Sequence, residues 1–112
     1  MNNGIYHVGF SSSNRSVGEG LAIFKDGAVN GGDQGYLYSG KYKLSSNVIT
    51  GDLTVTRWNP GHTSVFGPLS TFTLSLEGGM SPDGSSFSVN ENSPDVPGAT
   101  ITINGRRLQD AA

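Results

Sequence analysis

Cysteine is absent from this chain of 112 residues, which excludes disulfides, thiolate metal sites and cysteine nucleophiles. Charge is scarce too: 14% of residues are charged and the formal net charge is −2. The only close basic pairs are Lys41 with Lys43 and Arg106 with Arg107. A nucleic-acid binder normally carries a basic stripe, so direct binding to DNA or RNA is not expected. No apolar run approaches the ~18 residues that a membrane span needs. The opening Met1-Asn2-Asn3-Gly4 has neither the basic region nor the apolar core of a secretory leader. A cytoplasmic protein without a membrane span is the expectation.

What is plentiful is glycine, at 17 residues against a hydrophobic fraction of 34%. Glycine costs about 1 kcal/mol per helical position relative to alanine, so this balance disfavours helices. It suits short strands and tight turns. The apolar residues occur in short β-branched or aromatic runs punctuated by Gly, Asn, Asp, Ser and Pro. Strands are expected at Ile5 to Phe10, Gly20 to Lys25, Ala28 to Asn30, Tyr36 to Leu44, Val48 to Trp58, Ser70 to Glu77, Ser85 to Asn90 and Ala99 to Asn104. Phe72, Leu74 and Leu76 alternate with polar residues, as on a half-buried strand. Phe87 with Val89, and Ala99 with Ile101 and Ile103, repeat that pattern. Asp26-Gly27 is a two-residue hairpin turn of the kind that needs positive φ.

Eight candidate strands joined mostly by short turns must deal with their edges, and closure does so. The expected fold is all-β, an eight-stranded antiparallel meander closed into a small lipocalin-like (calycin-type) barrel, with a two-sheet sandwich as the alternative. The barrel domain is placed at residues 1–105, with 106–112 as a frayed tail.

The sequence carries little that reads as catalytic. Gly18-Glu19-Gly20 lacks the third glycine and the following helix of a dinucleotide fingerprint, so it reads as the start of a strand. The stretch from Asp26 to Asp33 lacks a calcium ligand at its third position, and Leu37 stands where the bidentate Glu would be. Gly31, Gly32 and Asp33 are therefore read as a structural turn, the Asp33 carboxylate capping backbone N–H groups. Losing that cap is expected to cost about 1 kcal/mol. His7 and His62 lack the spacing of a metal pair. No nucleophile elbow is present. Glu19, Asp26, Asp33, Asp52 and Glu77 fall singly on different strands and turns, with Asp52 facing outward beside inward Leu53 and Val55. No enzyme activity, cofactor or metal is expected.

Most aromatic residues are assigned to the core. Trp58 and Phe66 stand apart. They flank the segment from Asn59 to Ser64, which includes His62, at what would be a barrel rim, where they could offer an apolar patch to a partner, although core packing is the favoured reading of each taken alone.

Gly4-Ile5-Tyr6, Gly18-Glu19-Gly20, Gly31-Gly32-Asp33, Tyr38-Ser39-Gly40 and Arg57-Trp58-Asn59 together resemble the GrlR family in order and spacing. These are small bacterial proteins named for a negative regulator of type III secretion. The resemblance implies an eight-stranded, lipocalin-like barrel that forms a homodimer. It also implies sequestration of a protein partner such as a transcriptional activator, and it associates the barrel with lipid-like ligands. In the founding regulator an acidic turn follows the Tyr-x-Gly strand and serves activator binding. Here Lys41-Tyr42-Lys43-Leu44-Ser45-Ser46-Asn47 has no acid, and so lacks that attraction for a basic partner. The expected partner-binding residues are Ser45, Ser46 and Asn47 by position, and Trp58, His62 and Phe66 by chemistry. The alternative function is a carrier of a small apolar ligand in the barrel interior, with inward Tyr, Thr and His7 as its polar groups.

Overall fold

The structure, a computed structural model, describes residues 3–12, 17–61, 71–92 and 100–111. It is all-β. Strands β1 (Gly4–Ser12), β2 (Val17–Lys25), β3 (Ala28–Gly32), β4 (Tyr36–Ser45), β5 (Val48–Arg57), β6 (Thr71–Met80), β7 (Ser86–Asn92) and β8 (Thr100–Gln109) follow one another in a meander. Each pairs antiparallel with its neighbour, and β8 returns to β1 to close the barrel. The sandwich alternative is thereby set aside. Among the described residues no helix is long and apolar enough to cross a membrane.

Closure explains where the strands outrun their sequence-based limits. A strand with a partner on each side satisfies its backbone groups through residues that are poor strand formers alone. Gly31 and Gly32 were expected to break β3. They continue it instead, paired with Ala22 and Leu21 on one side and with Tyr38 and Leu37 on the other. Gly18-Glu19-Gly20 likewise lies within β2. The segment expected to fray from Arg106 is strand as far as Gln109, which pairs with Ile5.

Alternation sends one face of every strand into the lumen. Tyr6, Val8, Phe24, Val55, Phe72, Leu74, Phe87, Val89 and Ile101 are buried there. Several inward positions are glycine because neighbouring backbones come too close for a side chain. A Cβ at Gly40 would lie 1.9 Å from the carbonyl oxygen of Asp52, and one at Gly105 would lie 2.1 Å from the Phe87 ring. Such positions allow a small sheet to coil on itself.

The two ends differ. At one, β2–β3 and β4–β5 are joined by two-residue hairpins, Asp26-Gly27 and Ser46-Asn47, with positive φ at all four positions, and β6–β7 by the longer turn from Ser81 to Ser85. Such primed turns match the right-handed twist of the flanking strands. Tyr6, Phe24, Tyr42 and Phe87 plug this end, with Tyr6–Phe24 and Phe24–Tyr42 centroids 5.2 Å apart in edge-to-face contact. The Tyr6 hydroxyl donates to the Gly84 carbonyl at 3.0 Å. At the opposite end lies the described β3–β4 connection, residues 33–35.

Candidate functional site

The second end holds a cavity of about 410 Å³. Its floor is Phe24 and Phe87 from the plug, and its walls include Val55, Phe72, Leu74 and Ile101. That volume lies within the range of small-molecule sites, which are mostly apolar with a few placed polar groups.

The polar groups come from two places. Asp33, in the β3–β4 connection, organises the mouth. Its Oδ1 accepts the backbone N–H groups of Gly35 and Tyr36, both at 2.8 Å, and its Oδ2 accepts the Tyr38 hydroxyl. Burial and that bond hold the Tyr38 phenol far above its ordinary pKa, so it stays a donor. The Trp58 indole N–H donates to the Asp33 carbonyl at 3.1 Å, and the Asn59 side chain donates to the Gln34 carbonyl at 3.1 Å. Residues 58 and 59 therefore brace the loop that carries Asp33.

The second polar group is Glu91 on β7. Its side chain lines the cavity and is 1% exposed. Its register partners are Leu76 on β6 and Ile101 on β8, which offer it no polar atom. Glu91 Oε1 has no hydrogen-bond partner among the described residues. Desolvation disfavours the charged form and pushes this carboxyl up to about 8. The sequence reading passed over it, although Phe87 and Val89 already define the inward face and a period of two carries that face to residue 91.

The residues expected to bind a partner are not gathered in one place. Ser45, Ser46 and Asn47 sit on the plugged end and are exposed. Trp58 is at the other end, 54% exposed. The ten residues of β5 separate them, about 30 Å along the strand. His62 and Phe66 lie outside the described residues. His7 was expected to serve the interior, but it alternates with inward Tyr6 and Val8 and faces outward. There its Nε2 meets a Glu19 carboxylate oxygen at 2.9 Å. The described threonines of β5 and β6 also face outward, and the polar residues lining the cavity include Tyr38, Asp33 and Glu91, with Glu19 and Gln34 toward the rim. Among the described residues no three His, Asp or Glu side chains are placed to hold a metal ion.

The outside of the barrel has two characters. Thr50, Asp52, Thr54 and Thr56 on β5 and Thr71, Thr73, Ser75 and Glu77 on β6 make one side hydroxyl-rich and acidic. Around the rest of the wall Leu21, Ile23, Leu37 and Leu108 are exposed, Leu37 directly beside Thr56 of β5. Leu21 and Leu37 both pair with Gly32, so no side chain stands between them. Ile23 pairs with Ile5, and Leu108 lies in the bulge beside it.

Fold and cavity together define a small closed β-barrel, plugged at one end and hollow at the other. The sequence matches the family model described as T3SS negative regulator, GrlR, over residues 1–110. The chain belongs to the GrlR family, the negative regulators of type III secretion. Among curated proteins none matches it.

Proposed function

We propose that the protein is a non-enzymatic, cytoplasmic regulator that forms a homodimer and sequesters a protein partner, such as a transcriptional activator of the secretion genes. Family membership supports the regulatory role. The observation that carries the binding mode is the apolar outer side formed by Leu21, Ile23 and Leu37, which are 49%, 40% and 54% exposed. A closed barrel has no free edge to extend another sheet, so a partner must be held through side chains. Exposed apolar residues on adjoining strands are the usual mark of such a surface.

The test is light scattering coupled to size exclusion, followed by capture of the activator encoded by the host. The unmodified chain should run as a dimer and retain the activator. Leu21→Asp combined with Leu37→Asp should leave the melting temperature nearly unchanged and abolish one or both associations. If the double variant dimerises and captures the activator as before, this surface is not the interface.

A second reading is favoured by the cavity: the barrel also holds a small apolar ligand. An interior closed by aromatic rings at one end and open at the other is the shape such a carrier needs.

A further inference from the structure

The ligand class follows from the charge of the cavity, and the argument rests on the carrier reading. A long-chain carboxylate is the default guest for a hollow apolar barrel, but this lining does not suit one. Asp33 stands at the mouth and Glu91 inside, while the described lining residues include no Lys, Arg or His. Glu19 touches the rim and its carboxylate is already met by His7. Arg57, opposite Tyr36 at the end of β5, is not among the lining residues. A carboxylate guest would bring its charge into an apolar space that already holds the Asp33 carboxylate and the desolvated Glu91 carboxyl, with no cation to meet it, which is costly.

The unpartnered Glu91 points to the complementary guest. A buried acceptor without a donor carries a desolvation cost that a ligand N–H would relieve. Glu91 Oε1 is such an acceptor, set among Leu76, Val89 and Ile101 with open space before it. We propose that the cavity takes an apolar primary amine, its chain against the Phe72, Leu74 and Phe87 walls and its nitrogen on the Glu91 carboxyl. An amine fits either protonation pairing. Ammonium against carboxylate and neutral amine against the acid contain the same atoms: the ammonium N–H donates to the carboxylate in the first, and the acid O–H donates to the amine nitrogen in the second. An alcohol of equal length supplies a single donor and no charge, so it ranks between amine and carboxylate.

Calorimetric titration of the full chain with octylamine, octanol and octanoate at one pH tests this. Octylamine is expected to bind at least about tenfold more tightly than octanoate, as a charge-assisted hydrogen bond in a dry site provides. Glu91→Gln should remove that preference. Octanoate or octanol binding as tightly as octylamine would overturn the amine assignment and leave the carrier reading standing, as would a preference that survives Glu91→Gln. Binding of none of the three probes would overturn both. The ranking is read on the unmodified protein, so it does not depend on how the variant folds.

Discussion

At one end of the barrel four aromatic rings fill the lumen edge to face; at the other the lumen is hollow and contains a carboxyl with an unpaired oxygen. The same eight strands build both. The plugged end follows the rules of a core, where each ring touches others and the tyrosine hydroxyl at its heart finds an acceptor. The mouth departs from them. Glu91 replaces an apolar residue at an inward position, and Asp33 spends its acceptors on organising a loop. The plug gives up space for stability, while the mouth keeps space and a costly polar group. Such local departures from good packing are where function is expected.

The contrast is sharpest under mutation. Phe87 packs on both Tyr6 and Phe24, with centroids 5.4 Å away in each case. Phe87→Ala is expected to destabilise by about 3–5 kcal/mol, read by urea unfolding, because a rigid aromatic plug cannot collapse around the void. A loss below about 1 kcal/mol would mean that the plug is no firmer than the mouth.

Asp33→Ala comes next, at about 2 kcal/mol. The change strips an acceptor from two backbone N–H groups and from the Tyr38 hydroxyl, and together these losses exceed the simple turn cap read from sequence. Hydrogen exchange should localise the damage to residues 33–38, with the plug still protected. Uniform loosening would show that the ends do not behave independently.

The pH dependence of stability turns on Glu91. Its carboxyl titrates near 4.5 when exposed and near 8 when folded. Between those values the folded state holds a proton that the unfolded state has released, so stability falls as pH rises through that window and levels off above it. Glu91→Gln should remove this slope. Its melting temperature should match the unmodified protein near pH 5 and exceed it near pH 8. Parallel curves would show that Glu91 does not titrate in that interval.

How much of this was legible beforehand divides along physical lines. Alternation at Phe72, Leu74, Leu76 and at Phe87, Val89 marked the inward faces, and Asp26-Gly27 announced its hairpin, because these signals are local. Trp58 and the turn at Ser46-Asn47 were both read as partner-binding positions, but their separation by the length of β5 depends on strand direction through the closed sheet. The extension of β8 through Arg106 and Arg107 was missed because its partner is β1, about a hundred positions away in the chain. Two arginines and the polar residues after them look like a tail until that partner is present. Glu91 was hidden differently: its residue type argues for solvent, and only the period of its neighbours argues for the lumen.

The pairing of β8 with β1 has a consequence for synthesis. Seven of the eight strand pairings join consecutive strands and form between neighbours as the chain emerges. The eighth joins the first strand made to the last. Until β8 leaves the ribosome, β1 keeps one unpaired edge and the growing sheet another, and both are free to recruit other chains. A nascent or truncated chain lacking β8 therefore has every hairpin it needs and still presents an open, adhesive sheet. The ten residues from Thr100 to Gln109 turn that sheet into a closed surface in a single step.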